Sequence, residues 1–253
     1  MISQTVFLEL SDTEWTNQIS CDFLQEYIKT IFLDAHNDGY FIPQPIEYMN
    51  VFDTEEFNDI KYEEPIIAKK IRSFKVAQHQ QVLSILFEHF NRCLTQTWED
   101  KLIVLKLLNM FDHKSIEWKT YFSIDLLKTV KSETLKEDNE LVQCELVEFI
   151  NQFCHMIYYR NMIVDSIEFR DIIKETFNHI IQASDSPHPR LLSSLIKFCD
   201  LDNNDQLACD IWEHIFPTDP IWQEYIVNLA LKSFQSNDMD VIDSAKYLVQ
   251  VIN

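Results

Sequence analysis

NELVQCELVEFINQFCHMIYYR, residues 139–160, decides how this chain is read. Val142, Leu146, Phe149, Ile150, Phe153 and Ile157 recur at intervals of three and four, which lays them along one stripe of an α-helix. Leu141, Cys144, Val147, Cys154 and Met156 carry apolar surface well beyond that stripe. A helix that is apolar around most of its girth has to be covered on more than one side. The segment lies past the middle of the chain, with helical patterns before and after it. It is expected to be the beam on which the rest is built, with Phe149 and Phe153 almost fully buried.

Working outward, the 253 residues are enough for one elongated domain or two small ones, and 46% hydrophobic with 13% aromatic residues can fill a large core. There is a single glycine, Gly39, beside seven prolines. Sheets with tight turns and nucleotide-cradling loops need glycine where the backbone takes positive φ, so the composition predicts an all-α protein with short polar connections. The six cysteines (Cys21, Cys93, Cys144, Cys154, Cys199 and Cys209) form no paired motif and mostly fall on predicted apolar faces. That pattern predicts reduced thiols and an intracellular, nuclear or cytoplasmic, address. The first residues lack a basic region, and Glu9 and Asp12 interrupt their apolar stretch, so no signal peptide is expected. No apolar run approaches the ~18–20 residues of a membrane span.

The formal net charge is −20, and it is uneven. Residues 1–64 carry 14 acids against two bases, Lys29 and Lys61; Lys69, Lys70, Arg72 and Lys75 follow as a small basic patch. Such a field opposes contact with a phosphate backbone, and no direct nucleic-acid partner is expected.

Ser11–Glu14 resembles a capping box and starts a predicted helix from about Asp12 to Asp34. Residues 36–75 then lose the rhythm, punctuated by Pro43, Pro45 and Pro65. Further helices are predicted at Val76–Gln96, from an N-cap at Thr97 to Phe111, and over Ser115–Lys131. The beam opens at Asp138 or Asn139, and the next helices span Ser166–Gln182 and Arg190–Cys199. One begins at Asn203 or Asn204 and ends before Pro217; another starts at Thr218-Asp219-Pro220; the last starts at Asn237 or Asp238. Two parts are expected: residues 1–75, an N-terminal helix with an irregular acidic and aromatic segment, and residues 76–253, an α-helical repeat domain.

Helix-pair starts near residues 76, 115, 166, 204 and 239 recur at roughly the ~40-residue interval of armadillo or HEAT arrays. Pairs such as WEDKLIVLKLLNMF with SIEWKTYFSIDLLKTV, and IEFRDIIKETFNHIIQA with RLLSSLIKFC, resemble the armadillo/HEAT-type α-solenoid superfamily from about Val76 onward. The resemblance implies a right-handed helical-repeat solenoid. A shorter run, PHPRLLSSLIKFCDLDNNDQLACDIWEHIFP, is similar to the last repeats of the Rcd1-like subunit of the CCR4–NOT deadenylation complex, through Arg190-Leu191-Leu192, Cys199, Asn204, Ala208 and Pro217. This second resemblance implies a helical-repeat factor associated with RNA.

Chemical motifs are sparse. HExxH, CxxC and Glu-x-x-His are absent, and no cofactor or metal is expected. Asp200-Leu201-Asp202-Asn203-Asn204-Asp205 begins like a calcium loop, but Asp205 replaces the turn glycine and Ile211 the bidentate glutamate. His89 with Cys93, and Asp210 with His214, lie four apart on a helix face and could each form a base–nucleophile or ligand pair, although packing is the simpler reading. Trp118 with Tyr121, or Trp222 with Tyr225, could line a peptide groove.

The expectation is therefore a non-catalytic interaction subunit or adaptor of a larger intracellular complex. An RNA-associated factor is the alternative, and an enzyme with an unrecognised site a third reading. A docking surface for a partner with a basic segment is placed in residues 40–64 together with the N-terminal helix. Asp53, Glu55, Glu56, Asp59, Glu63 and Glu64 supply the charge there, with Tyr40, Phe41, Tyr48, Phe52, Phe57 and Tyr62 as apolar anchors. The charge also makes a direct prediction. The purified chain shows no measurable binding to plain single-stranded RNA or duplex DNA in a filter or polarisation assay near physiological salt. Micromolar binding would contradict it.

Overall fold

A computed structural model describes residues 21–37, 41–42, 80–110, 122–159, 166–183, 187, 189–199 and 220–252. These residues form α1 (Cys21–Asn37), α2 (Gln80–Cys93), α3 (Trp98–Asn109), α4 (Ile124–Thr134), α5 (Glu140–Tyr159), α6 (Ser166–Ala183), α7 (Pro189–Cys199), α8 (Pro220–Phe234) and α9 (Met239–Ile252). The described part is all-α, and no strand occurs among the described residues. The chain divides into two compact units, Met1–Phe122 and Ser123–Asn253.

In the first unit α1, α2 and α3 all pack on one another. α3 is the innermost, with Lys101, Leu102, Ile103, Val104 and Leu105 consecutively buried. Five successive residues point in every direction around a helix, so α3 is covered on all sides. Its start is local chemistry. The Thr97 side chain accepts from Asp100 N while the Asp100 carboxylate accepts from the Thr97 backbone, a complete capping box. An aromatic chain continues the core: Phe32 lies 5.8 Å from Phe90, Phe87 5.4 Å from Phe90 and Phe87 5.9 Å from Phe122.

In the second unit α5 has the place expected of it. Val142, Leu146, Phe149, Ile150 and Phe153 are buried along the main stripe, and Leu141, Cys144 and Val147 are buried beside it. Asn139 caps the helix, its side-chain oxygen accepting from Leu141 N at 3.0 Å and Val142 N at 3.3 Å. α5 packs on α4 and on α7, and Phe153 meets Phe169 of α6 at 6.0 Å. The other principal contacts are α4 with α6, α6 with α8, α7 with α8 and α9, and α8 with α9.

Polar links fix these neighbours. Lys128 and Lys131 of α4 pair with Glu168 and Glu175 of α6. The Glu168 hydrogen bond holds the Lys128 ammonium above its ordinary pKa. Lys232 of α8 donates to the carbonyl of Ile181 in the last turn of α6 at 2.6 Å, where helix carbonyls lack intrahelical partners. Buried hydroxyls turn back on their own helices: Thr134 to Val130 O, Thr176 to Ile172 O and Ser233 to Leu229 O.

Several expected boundaries move. A single helix over Ser115–Lys131 does not form, because residues 122 and 123 are not helical. Ser123 is extended (φ −111, ψ 165) and its side chain accepts from Leu126 N, which starts α4 at Ile124. α1 runs past Asp34 to Asn37, α2 stops at Cys93, and α3 stops at Asn109 rather than Phe111. α7 starts at Pro189, one residue before the expected Arg190, and the missing N–H of proline costs no hydrogen bond at that first position. The start expected at Pro220 is observed, and Asp238 caps α9 through Asp240 N at 2.9 Å and Val241 N at 3.2 Å. The helix expected over 203–216 and the one over 12–20 lie outside the described residues.

Phe149 and Phe153 are 0% exposed. Replacing Phe153 with Ala leaves a cavity between α5 and α6, and a cost of ~3–5 kcal/mol is expected in urea unfolding. An unchanged unfolding free energy would remove α5 from the core role assigned to it.

Candidate functional site

Two places among the described residues carry features that packing alone does not require. One is the junction of α1, α2 and α3. Asp100 is its hub: one carboxylate oxygen accepts from the Thr97 hydroxyl at 2.9 Å, and the other lies 2.9 Å from His36 Nε2. α1 presents His36 in its last turn. Asp100 therefore joins the start of α3 to the end of α1. The order of contacts is hydroxyl, carboxylate, imidazole. A hydrolytic triad needs the imidazole between the other two, so this arrangement does not activate Thr97.

His89 and Cys93 of α2 belong to the same neighbourhood. The His89 ring meets Phe32 edge-on with centroids 4.4 Å apart. Burial lowers its pKa below the ordinary 6.5, helped by the Arg92 and Lys29 charges and opposed by Asp100. Cys93 is buried, and burial, reinforced by Asp100, pushes its thiol up to about 12. The active form of such a pair is a thiolate beside an imidazolium, and these surroundings disfavour both members. The pair reads as packing. Beside it Gln25, Ile28, Lys29, Ile85, Glu88, His89 and Arg92 line a shallow open groove. Its two cations are engaged on their own helices, Lys29 with Glu26 and Arg92 with Glu88. Among the described residues no group of three or more His, Cys, Asp or Glu is placed to hold a metal ion.

The other place is the outward side of α8. Val227, Leu231 and Phe234 are 47%, 55% and 41% exposed, and Met239 at the start of α9 is 64% exposed. The opposite side of α8 is buried through Tyr225, Leu229, Ala230 and Ser233. Tyr225 stacks on Phe177 of α6 at 5.5 Å, so it is a core residue and not the groove anchor it could have been with Trp222. The sequence signal for this face was present in PIWQEYIVNLALKSF, where apolar residues occupy two opposite stripes of one helix.

The acidic docking residues expected from sequence, Asp53, Glu55, Glu56, Asp59, Glu63 and Glu64 with Phe52, Phe57 and Tyr62, lie outside the described residues. So do Trp118, Tyr121, the 200–205 loop, Asp210 and His214. Phe41, counted among the anchors, is 0% exposed and belongs to the core of the first unit. No described helix is long and apolar enough to cross a membrane. No protein family, curated protein or solved structure matches the chain.

The lowered pKa of His89 makes a signed prediction. Below about pH 6.5 the unfolded chain takes a proton that folded His89 refuses, so this residue's contribution is complete above that pH and is lost as pH falls towards the folded value. Wild-type protein is expected to lose more stability than His89→Gln between about pH 7.5 and about pH 5.5 in urea unfolding. Equal losses in the two proteins would show that His89 titrates alike in both states.

Proposed function

We propose that this chain is a helical-repeat interaction protein, a non-catalytic subunit or adaptor whose stacked helices present surface to another protein. The pattern of contacts in the second unit supports this most. α4 packs on α6 and α6 on α8, while α5 packs on α7 and α7 on α9. Among the described helices, contacts between those two apart in order stand beside the consecutive contacts of α4 with α5 and of α8 with α9, as a two-layer stack of helix pairs produces. The armadillo/HEAT resemblance of the same stretch agrees with a stack.

Repeat stacks offer extended surfaces for recognition, and the net charge of −20 suits a partner that brings basic residues. Cys93 is a buried thiol, in keeping with a reducing, nuclear or cytoplasmic setting.

Tagged full-length chain, purified from cells at mild salt with and without nuclease, is expected to retain the same protein companions in near-stoichiometric amount. Companions lost on nuclease treatment would favour the RNA-associated reading. A chain recovered alone at every salt concentration would contradict the proposal.

A further inference from the structure

Building on the interaction reading, we propose that the outward face of α8 (Val227, Leu231 and Phe234, with Met239 across the turn) docks an amphipathic helix of a partner protein. That helix carries lysine or arginine beside its apolar stripe. The three residues stand at i, i+4 and i+7 and form a straight row along the helix. The row lies opposite the buried Tyr225, Leu229 and Ser233. A helix at a protein surface needs one apolar side, and α8 has two. A contiguous apolar row of this kind marks a binding surface, whereas an isolated case such as exposed Leu33 on α1 does not.

Charge selects the occupant. α8 contains one acid and one base, Glu224 and Lys232. Glu224 is exposed and lies one turn before Val227. Lys232 is turned to the Ile181 carbonyl at 2.6 Å, on the end of α6. Across the turn Asp240 and Asp243 are exposed, and the single base of α9, Lys246, is already paired with Asp243 at 2.6 Å. The bases of α8 and α9 are thus committed, while Glu224 and Asp240 on the same two helices are exposed acids. A second copy would set the same acids against one another on chains of net charge −20, and an anionic lipid surface would meet the same repulsion. A partner helix with anchors at i, i+3/i+4 and i+7 fits a straight apolar row, and basic flanks would meet Glu224 at one end and Asp240 at the other.

The test uses the full chain and Leu231→Glu, chosen because Leu231 is exposed. The probe is a displayed library of short helices with leucine fixed at i, i+4 and i+7 and flanking positions drawn from Lys, Glu or Gln. Selection is expected to return Lys-flanked helices whose binding weakens with added salt and falls about tenfold or more on Leu231→Glu chain. Circular dichroism and melting temperature of the variant should stay at the wild-type values. The proposal is overturned if no helix is selected over the variant, or if Glu-flanked helices bind as well. It is equally overturned if wild-type chain sediments as a dimer that Leu231→Glu dissociates, or if the variant melts several degrees lower because the row belongs to the chain's own core. Co-purifying companions that are indifferent to Leu231→Glu would leave the interaction reading standing and remove this face from it.

Discussion

Desolvation of α5 is the constraint on which the second unit depends. Its buried residues face nearly every direction, so no single neighbour can cover it. α4 and α7 lie against it, and α6 reaches it through Phe169. Each Phe, Leu or Ile so covered is worth roughly 1.5–3 kcal/mol relative to exposure, against an ordering cost of about 1–2 kcal/mol per residue of backbone. A helix apolar on one stripe alone would leave the helices around it without a shared wall. The polar links then choose among the ways these helices could be arranged. Two lysines of α4 meet two glutamates of α6, and Lys232 ties α8 to the end of α6. Exposed ion pairs of this sort contribute little to stability individually, so their part is to set register.

The first unit reaches the same end with different means. α3 is enclosed on all sides, and Asp100 at its start serves two neighbours with one carboxylate. One oxygen belongs to the helix cap and the other to His36. Such a group is poorly suited to proton transfer, because moving its charge would release both the cap and the interhelical link. The nearby His89 and Cys93 are held neutral by burial. The concentration of titratable side chains here is accounted for by folding.

How much of this was legible in the sequence follows from the range of each interaction. Thr97, Asn139, Pro220 and Asp238 act within a few residues of themselves, and each helix start was readable from them. The burial of Phe149 and Phe153 was equally readable, because a helix apolar on several sides has no other disposition. Ser123 was missed: the apolar pattern of TYFSIDLL runs across it without a break, and only the backbone reveals a new start. For Tyr225 both core packing and a groove role with Trp222 were open, because pattern alone cannot say which of two apolar stripes turns inward. Phe177 settles that for Tyr225, and the same fact leaves Val227, Leu231 and Phe234 outside.

Native-state hydrogen exchange followed residue by residue tests the central role of α5 most directly. Amides of Leu146, Phe149, Ile150 and Phe153 should exchange only through global opening, with protection equal to the unfolding free energy from denaturant. The amides of α9, where Val241 and Ala245 are the buried residues among those described, should open at lower cost. If α5 exchanged through local opening while α9 remained protected to the global limit, the second unit would not be organised around α5.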